Sequence, residues 1–299
     1  MQRIKLAEDL TFSQFIQGYW RLNDWSMSVS ELTEFVKQHL DLGITTVDHA
    51  DIYGDYECEA IFGQVLKHSP ELRSKMEIVT KCDIKLVSGK YPERKIGHYD
   101  TSAQHIKQSV ECSLQNLATD YIDVLLIHRP DALMNADEVA DTFKALKQAG
   151  KVRQFGVSNF TPMQFDLLQS RLDDKLVTNQ VELNPINMQT TADGTLEHLQ
   201  KLRVAPMIWS CLAGGRIFSE QSEQASRLRE TLSQIAQEVN ASIDQVIYAW
   251  ILKLPCNPLP IIGSGNIERV KTALVSADIK LTNEQWYRVW VASNGHNVP

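Results

Sequence analysis

Apolar and polar positions follow two alternating rhythms along this chain. Short apolar runs recur at FIQGYW (15–20), TTVDHA (45–50), EIVTKC (77–82), IDVLLIH (122–128), VRQFGVSN (152–159), VTNQVEL (177–183), PMIWSCL (206–212) and LPIIGS (259–264). Between them the apolar residues are spaced three and four apart, the period of one helix face. Leu32, Phe35, Val36 and Leu40 share such a face, as do Ile106, Val110, Leu114 and Leu117, and then Val139, Phe143 and Leu146, with Gly150 placed to cap the last of these helices.

Eight strand runs separated by helices predict a parallel sheet, because strand–helix–strand units connect that way. Eight is also the number that closes a (β/α)8 TIM barrel, with a doubly wound open sheet as the rival. Two segments exceed the minimal repeat. Residues 232–255 are long enough for two helices before the last strand, and 282–292 predict a helix after it. RIKLA and TFSQF near the start suggest a hairpin plugging the barrel bottom. No Gly-, Pro- or Ser-rich linker interrupts residues 1–299, which read as a single domain.

Composition narrows the field. With 43% hydrophobic and 22% charged residues the chain is ordinary for a globular protein. A net charge of −7 argues against binding a nucleic-acid backbone, which needs a basic face. The opening residues lack the apolar core of a signal peptide, and no apolar run is long enough for a membrane span. Five cysteines, never in a CxxC pair, favour free thiols in a reducing compartment. The expectation is a cytoplasmic protein.

The candidate chemistry lies where the strands finish. Asp48, Lys81, His128, Ser158 and Asn159, Gln180, Trp209 and Ser210, and Gly263 and Ser264 all fall in or just beyond successive apolar runs. In a barrel of this kind the C-terminal strand ends form the active-site face. His49 and Asp51 could share one side of a strand as metal ligands, but no HExxH or ExxH accompanies them, so no metal is expected and His49 reads as structural. His128-Arg129-Pro130-Asp131 superficially matches a kinase catalytic loop, without the Gly-rich loop or downstream Asn that kinases need. Asp48, Tyr53, Lys81 and His128 suit one task together. A phenol holds its proton at neutral pH, a neighbouring ammonium makes it a better acid, a carboxylate balances that ammonium, and a neutral imidazole can donate to a carbonyl oxygen. The set can protonate an oxygen whose carbon receives a hydride.

Those residues stand in motifs that identify a family. DHADIYG (48–54), IVTKC (78–82), LLIHRPD (125–131), FGVSNF (155–160), NQVELNP (179–185) and WSCLAGG (209–215), between GYWRL (18–22) and IIGSGNIERV (261–270), resemble the aldo-keto reductases across essentially the whole chain, in particular the bacterial oxidoreductases of unassigned substrate. The resemblance implies Tyr53 as proton donor, Lys81 and Asp48 as the groups that tune it, and His128 as the residue that orients the carbonyl. It places Gly18, Trp20 and Asp48 against a nicotinamide dinucleotide, Ser158, Asn159 and Gln180 at the carboxamide, and Trp209 under the nicotinamide ring. Ser210, Leu212, Gly214 and Arg216 would line the pyrophosphate.

Many relatives carry a lysine where Gly263 stands, and an acid and an amide at Thr272 and Ala273, so only Ser264 and Arg269 remain for a 2′-phosphate. NADP, taken as NADPH in preference to NADH, is the expected cofactor, and a small carbonyl compound the expected substrate of a monomeric enzyme. Two other functions share these residues: a Schiff-base lyase through Lys81, and a nucleotide-binding regulatory subunit with poor turnover. The loop 83–102, the segment 20–27 and the tail 293–299 are expected to wall the substrate pocket, with Trp25, Tyr91 and Tyr99 as aromatic candidates.

Overall fold

The computed structural model describes residues 1–299. Eight parallel strands, with helices between them, close into the expected barrel: β3 (Ile16–Gly18), β4 (Thr46–Asp48), β5 (Glu77–Cys82), β8 (Ile122–Ile127), β9 (Val152–Ser158), β10 (Asn179–Glu182), β11 (Met207–Trp209) and β12 (Leu259–Ile262), in that order around the ring. The remaining strands form two small antiparallel pairs, β1 (Arg3–Ala7) with β2 (Leu10–Ser13), and β6 (Ile84–Lys85) with β7 (His98–Tyr99). The chain divides into two compact units, Met1–Gln180 and Val181–Pro299.

The first unit carries α1 (Val29–Asp41), α2 (Tyr53–Tyr56), α3 (Cys58–His68), α4 (Ala103–Leu117), α5 (Ala136–Gln148) and α6 (Pro162–Gln169). Strand β8 is buried along its whole length, as a strand covered on both faces must be, so its sequence IDVLLI is nearly continuous in apolar residues. Its one acid, Asp123, accepts from Arg73 at 2.8 Å and from the Ile78 amide at 2.9 Å, so the buried charge is met from two sides. Helix starts are written locally. Ser28 with Glu31 and Thr161 with Gln164 form capping boxes, the second with Pro162 in the first turn. Gly150, with φ 71°, follows α5 in the left-handed conformation. The hairpin β1–β2 meets the N-terminal ends of the strands: Arg3 pairs with Glu77 at 2.6 Å, and the Ser13 amide donates to Thr46 Oγ1 at 3.1 Å.

Helices α3 and α4 approach at Gly63, where an added Cβ would lie 1.9 Å from the Asn116 carbonyl oxygen. Gly63→Ala must push the two helices apart, and a loss of about 1–3 kcal/mol is expected in chemical unfolding. An unchanged unfolding midpoint would show that the helices part without cost.

The second unit carries α7 (Thr195–Leu202), α8 (Arg216–Ser219), α9 (Glu223–Glu238), α10 (Ile243–Leu252), α11 (Ile267–Val275) and α12 (Asn283–Asn294). The two helices expected before the last strand are α9 and α10, although α9 begins nine residues earlier than the apolar pattern suggested. The expected final helix is α12. It packs on α10 through Trp250 and Trp286, whose rings stack at 5.2 Å while each indole N–H donates to the other residue's carbonyl, at 3.2 and 3.1 Å. That exchange satisfies two buried polar groups at the centre of an apolar contact. No helix is long and apolar enough to cross a membrane. The five cysteines are all free thiols, four of them buried and Cys112 exposed.

Candidate active site

Three successive strands of the first unit deliver the polar groups. Asp48 ends β4, Lys81 lies one residue before the end of β5, and His128 directly follows β8. Because β4, β5 and β8 pair in parallel, with Asp48 opposite Val79 and Lys81 opposite Leu126, these ends fall at one level. Tyr53 comes from the short turn of helix that follows β4.

Lys81 is the hub. Its side chain is 0% exposed, and its ammonium donates to the Tyr53 phenol oxygen at 2.9 Å, to the His49 carbonyl at 2.7 Å and to the Asp48 carboxylate, whose two oxygens both lie at 2.9 Å. An ammonium has three N–H donors, so all of them are spent. The phenol oxygen accepts from Lys81, which leaves the proton of Tyr53 to be donated elsewhere. The other ligand of Asp48 is the Gln180 amide, donating at 2.7 Å to Oδ1. Burial pulls the Lys81 pKa down, but Asp48 and Tyr53 outweigh it and the net shift is upward. Lys81 therefore stays charged.

Tyr53 shows the reverse balance. Burial raises its pKa more than Lys81 lowers it, so the phenol ends above its ordinary value. The ammonium favours the phenolate as the sequence reading expected, yet the net shift is up, because the phenol lies in a desolvated position. His128 packs edge-on against the Tyr53 ring, with centroids 5.9 Å apart. Burial and the nearby Lys81 and Arg129 charges hold its pKa well below the usual histidine range, so it is neutral, and its buried Nδ1 has no hydrogen-bond partner.

Residues 49 and 51 do not share a site. His49 is stacked on Tyr19, with centroids 4.9 Å apart, and lies edge-on to Phe62; burial and Lys81 bring its pKa down to about 3. Asp51 turns instead toward α4 and accepts from Ser109 at 2.5 Å, with burial pushing its carboxyl up to about 7. It lines a cavity of about 760 Å³ with Glu59, Tyr56, Tyr91, Arg94 and His105, under the loop between β6 and β7. Of the expected aromatic wall, Trp25 packs on Tyr19 and Phe35, Tyr91 is half-buried, and Tyr99 is exposed.

The other expected residues fall in both units. In the first, Gly18 is buried at the end of β3, and Trp20 is 60% exposed, with the Arg21 guanidinium over its ring. The Ser158 hydroxyl donates to the Gln180 carbonyl at 2.9 Å, and the Asn159 amide donates to the Ser158 oxygen at 2.8 Å. Asn159 itself has φ 59°. In the second unit, Trp209 ends β11 half-buried, and Leu212 lies in the turn beyond it. The chain then takes positive φ at Ser210, Ala213, Gly214 and Gly215, and nothing lies within 4 Å of where a Cβ on Gly215 would project. Arg216 is exposed and pairs loosely with Glu220, at 3.6 Å.

After β12, Gly263 is exposed, and Ser264 Oγ accepts from the Asn266 amide at 3.2 Å. The amides of Glu268 and Arg269, at the start of α11, are capped by the Asn266 side chain at 2.9 and 3.4 Å. Glu268 is held by Lys271 at 2.8 Å, and Arg269 is exposed.

Residues 14–292 match the Aldo/keto reductase family. The chain belongs to the aldo/keto reductase family. It is 58% identical to the oxidoreductase YdhF of Escherichia coli and 50% identical to the oxidoreductase YcsN of Bacillus subtilis, each over the full length of both chains. A 6-dehydroglucose reductase of Agrobacterium fabrum is 41% identical, again over both full lengths. Among solved structures, a thermostable aldo-keto reductase crystallised with the inhibitor epalrestat superposes with a TM-score of 0.81 at 26% identity, covering 98% of this chain and 100% of that one. The glycerol dehydrogenase of Gluconobacter oxydans, at 23% identity and TM-score 0.85 over 98% of this chain and 95% of its own, shares the fold. Aldo-keto reductases use nicotinamide cofactors.

Sequence reasoning missed two residues near this site, Tyr56 and Arg94. Neither lies at a strand end, which was the signal used to find the others.

Proposed function

We propose that this aldo-keto reductase reduces an aldehyde or ketone to an alcohol with NADPH, Tyr53 supplying the proton. The observation that carries this reading is the Lys81 ammonium, donating to the phenol oxygen at 2.9 Å with its other N–H groups already spent. A nicotinamide cofactor, when bound, supplies the hydride. Tyr53 gives its proton to the carbonyl oxygen as negative charge builds there, and Lys81 stabilises the phenolate left behind. Asp48, fixed by Gln180, keeps Lys81 from being an uncompensated buried charge. Neutral His128 donates a ring N–H to the carbonyl oxygen and sets its direction.

The chain's own residues fit such a cofactor. Positive φ at Ser210, Ala213, Gly214 and Gly215 turns the backbone here, and the open space at Gly215 would let it approach a pyrophosphate closely. Trp209 would stack under the nicotinamide, Ser158 and Asn159 would hold its carboxamide, and Ser210, Leu212, Gly214 and Arg216 would line the phosphates, with Gly18, Trp20 and Gly263 as further cofactor contacts. The Schiff-base alternative loses support, because a lysine nucleophile must be neutral and accessible, and Lys81 is neither.

For the 2′-phosphate the support is local. Glu268, the acid that would face the ribose hydroxyls of NADH, is engaged by Lys271 in an exposed pair at 2.8 Å, while Arg269 is exposed and Ser264 stands five residues before it. Arg269→Ala is expected to weaken NADPH selectively by about 1.5–3 kcal/mol, the worth of a charge-assisted hydrogen bond. Fluorescence titration of both nucleotides checks this; equal loss for NADH and NADPH, or equal affinity in the unaltered protein, overturns it. The reaction itself is tested by loss of NADPH absorbance across a carbonyl panel that includes 6-dehydroglucose, the substrate named for the Agrobacterium relative. Turnover of no carbonyl would favour a nucleotide-binding role without catalysis.

A further inference from the structure

We propose that Tyr56 and Arg94 are positioning residues for the reaction: they clamp the loop between β6 and β7 onto the turn that carries Tyr53, and so hold the phenol against Lys81. The proposal rests on the reading of Tyr53 as proton donor.

The turn cannot be expected to hold its own shape. Directly after Tyr53 the chain takes positive φ three times in succession, at Gly54 (59°), Asp55 (55°) and Tyr56 (67°). Only the first of these is glycine. The left-handed region is unfavourable for residues that carry a Cβ, and such geometry persists where the surroundings over-determine it. On the barrel side the Asn23 amide donates to the Gly54 carbonyl at 3.0 Å, and a Cβ at Gly54 would come within 2.6 Å of Asn23 and of Cys58. Tyr53 itself is held by Lys81 at its phenol and by the Ala50 carbonyl at its amide, at 2.9 and 3.2 Å, whereas the far end of the turn, at Tyr56, is gripped from the loop.

Tyr56 is the grip. Its phenol oxygen accepts two hydrogen bonds, from the Leu86 amide at 2.9 Å and from the Arg94 guanidinium at 2.8 Å, so both of its lone pairs are used. The Tyr56 ring meets Tyr91 edge-on at 5.0 Å, and the Arg94 guanidinium lies 3.6 Å from the centre of the Tyr91 ring. Arg94 is thus sandwiched between a ring face and a phenol oxygen, with its side chain only 13% exposed. A Lys90–Glu57 pair at 2.9 Å adds a more exposed tie, which is worth little by itself.

The grip reaches Tyr53 through the main chain. The Tyr56 amide donates to the Ile52 carbonyl at 3.3 Å, and the Glu57 amide donates to the Tyr53 carbonyl at 3.1 Å. Letting go of the Tyr56 side chain therefore loosens the two main-chain bonds that brace Tyr53, while the Tyr53 amide keeps the Ala50 carbonyl at 3.2 Å. Proton transfer is steep in distance, and a misplacement of about 1 Å can cost roughly a hundredfold in rate. The contacts that grip Tyr56 come from 30 and 38 residues away in sequence, so the clamp ties a distant loop to the aim of the acid.

Tyr56→Phe tests this, because it keeps the ring contact with Tyr91 and removes only the oxygen. With NADPH and 4-nitrobenzaldehyde, kcat is expected to fall about ten- to a hundredfold while the NADPH dissociation constant stays within about twofold. Arg94→Ala should give a similar fall and Arg94→Lys should restore most of it, since an ammonium can still donate to the phenol oxygen. The double variant Tyr56→Phe/Arg94→Ala should be no slower than the slower single one. Should Tyr56→Phe not yield folded protein, the Arg94 pair carries the test. Wild-type kcat in Tyr56→Phe and Arg94→Ala, in an enzyme that Tyr53→Phe silences, overturns the clamp, as does a fall in kcat matched by an equal loss of NADPH affinity. Full activity in Tyr53→Phe instead overturns the reading on which the clamp rests.

Discussion

Tyr53→Phe is expected to fold, to bind NADPH as the unaltered chain does, and to lose carbonyl reduction by about 10²–10⁴-fold, the usual contribution of a positioned general acid. The substitution removes one oxygen from a buried ring. Its structural cost is the Lys81 N–H that loses its acceptor, about 1–3 kcal/mol, and the ammonium keeps Asp48 and the His49 carbonyl. The pH dependence carries a sign. The protonated phenol is the working form, and burial raises its pKa above the ordinary tyrosine value. The reduction rate should therefore hold through neutral and mildly alkaline pH and fall only as the solution climbs past that raised pKa. In the variant this alkaline fall should vanish along with the rate. Stopped-flow measurement of hydride transfer at saturating NADPH reads both, and a variant with wild-type turnover would remove Tyr53 from the mechanism.

Lys81→Met strikes the hub, so its effect should appear in stability as well as in rate. It leaves Asp48 buried with the Gln180 amide and no cation, and stranding one partner of a buried pair costs about 3–5 kcal/mol. Tyr53 loses the ammonium that stabilises its phenolate, and reduction should fall at least as far as in Tyr53→Phe. The folded-state pKa of Lys81 is raised, so its contribution to stability is complete at neutral pH and is lost only as pH rises through that higher value. The stability gap between variant and wild type should therefore stay constant from neutral pH to the ordinary lysine range. Urea unfolding across that window checks it, and coincident curves would show that Asp48 does not depend on Lys81. Lys81→Met/Asp48→Leu separates the two effects, since removing both charges should return much of the stability and none of the rate.

Much of this was legible in the chain by itself. Apolar runs alternating with helical periodicity require a parallel sheet, and eight of them closed as a barrel, because burial on both faces and short connections leave few other topologies. EIVTKC became β5 with the same ends, whereas TTVDHA kept only Thr46–Asp48, since at the rim the chain leaves its neighbours before its β-forming residues run out. Asp48, Lys81 and His128 could be picked out because a core strand has no use for such groups, and Tyr53 because it stands just behind them.

What tertiary structure decided were the partners and the signs. Lys81 reaches the His49 carbonyl as well as Asp48 and Tyr53, Gln180 donates to Oδ1 of Asp48 from 132 residues away, and Lys271 claims Glu268. Local periodicity carries no information about which side chains the closed barrel will bring within 3 Å. The pKa of Tyr53 rises although a lysine touches it, because the outcome depends on how much water folding excludes, and that is a property of the packed site. Tyr56 and Arg94 were invisible for the same reason: a left-handed turn and the loop that holds it become partners only when the chain between them has folded.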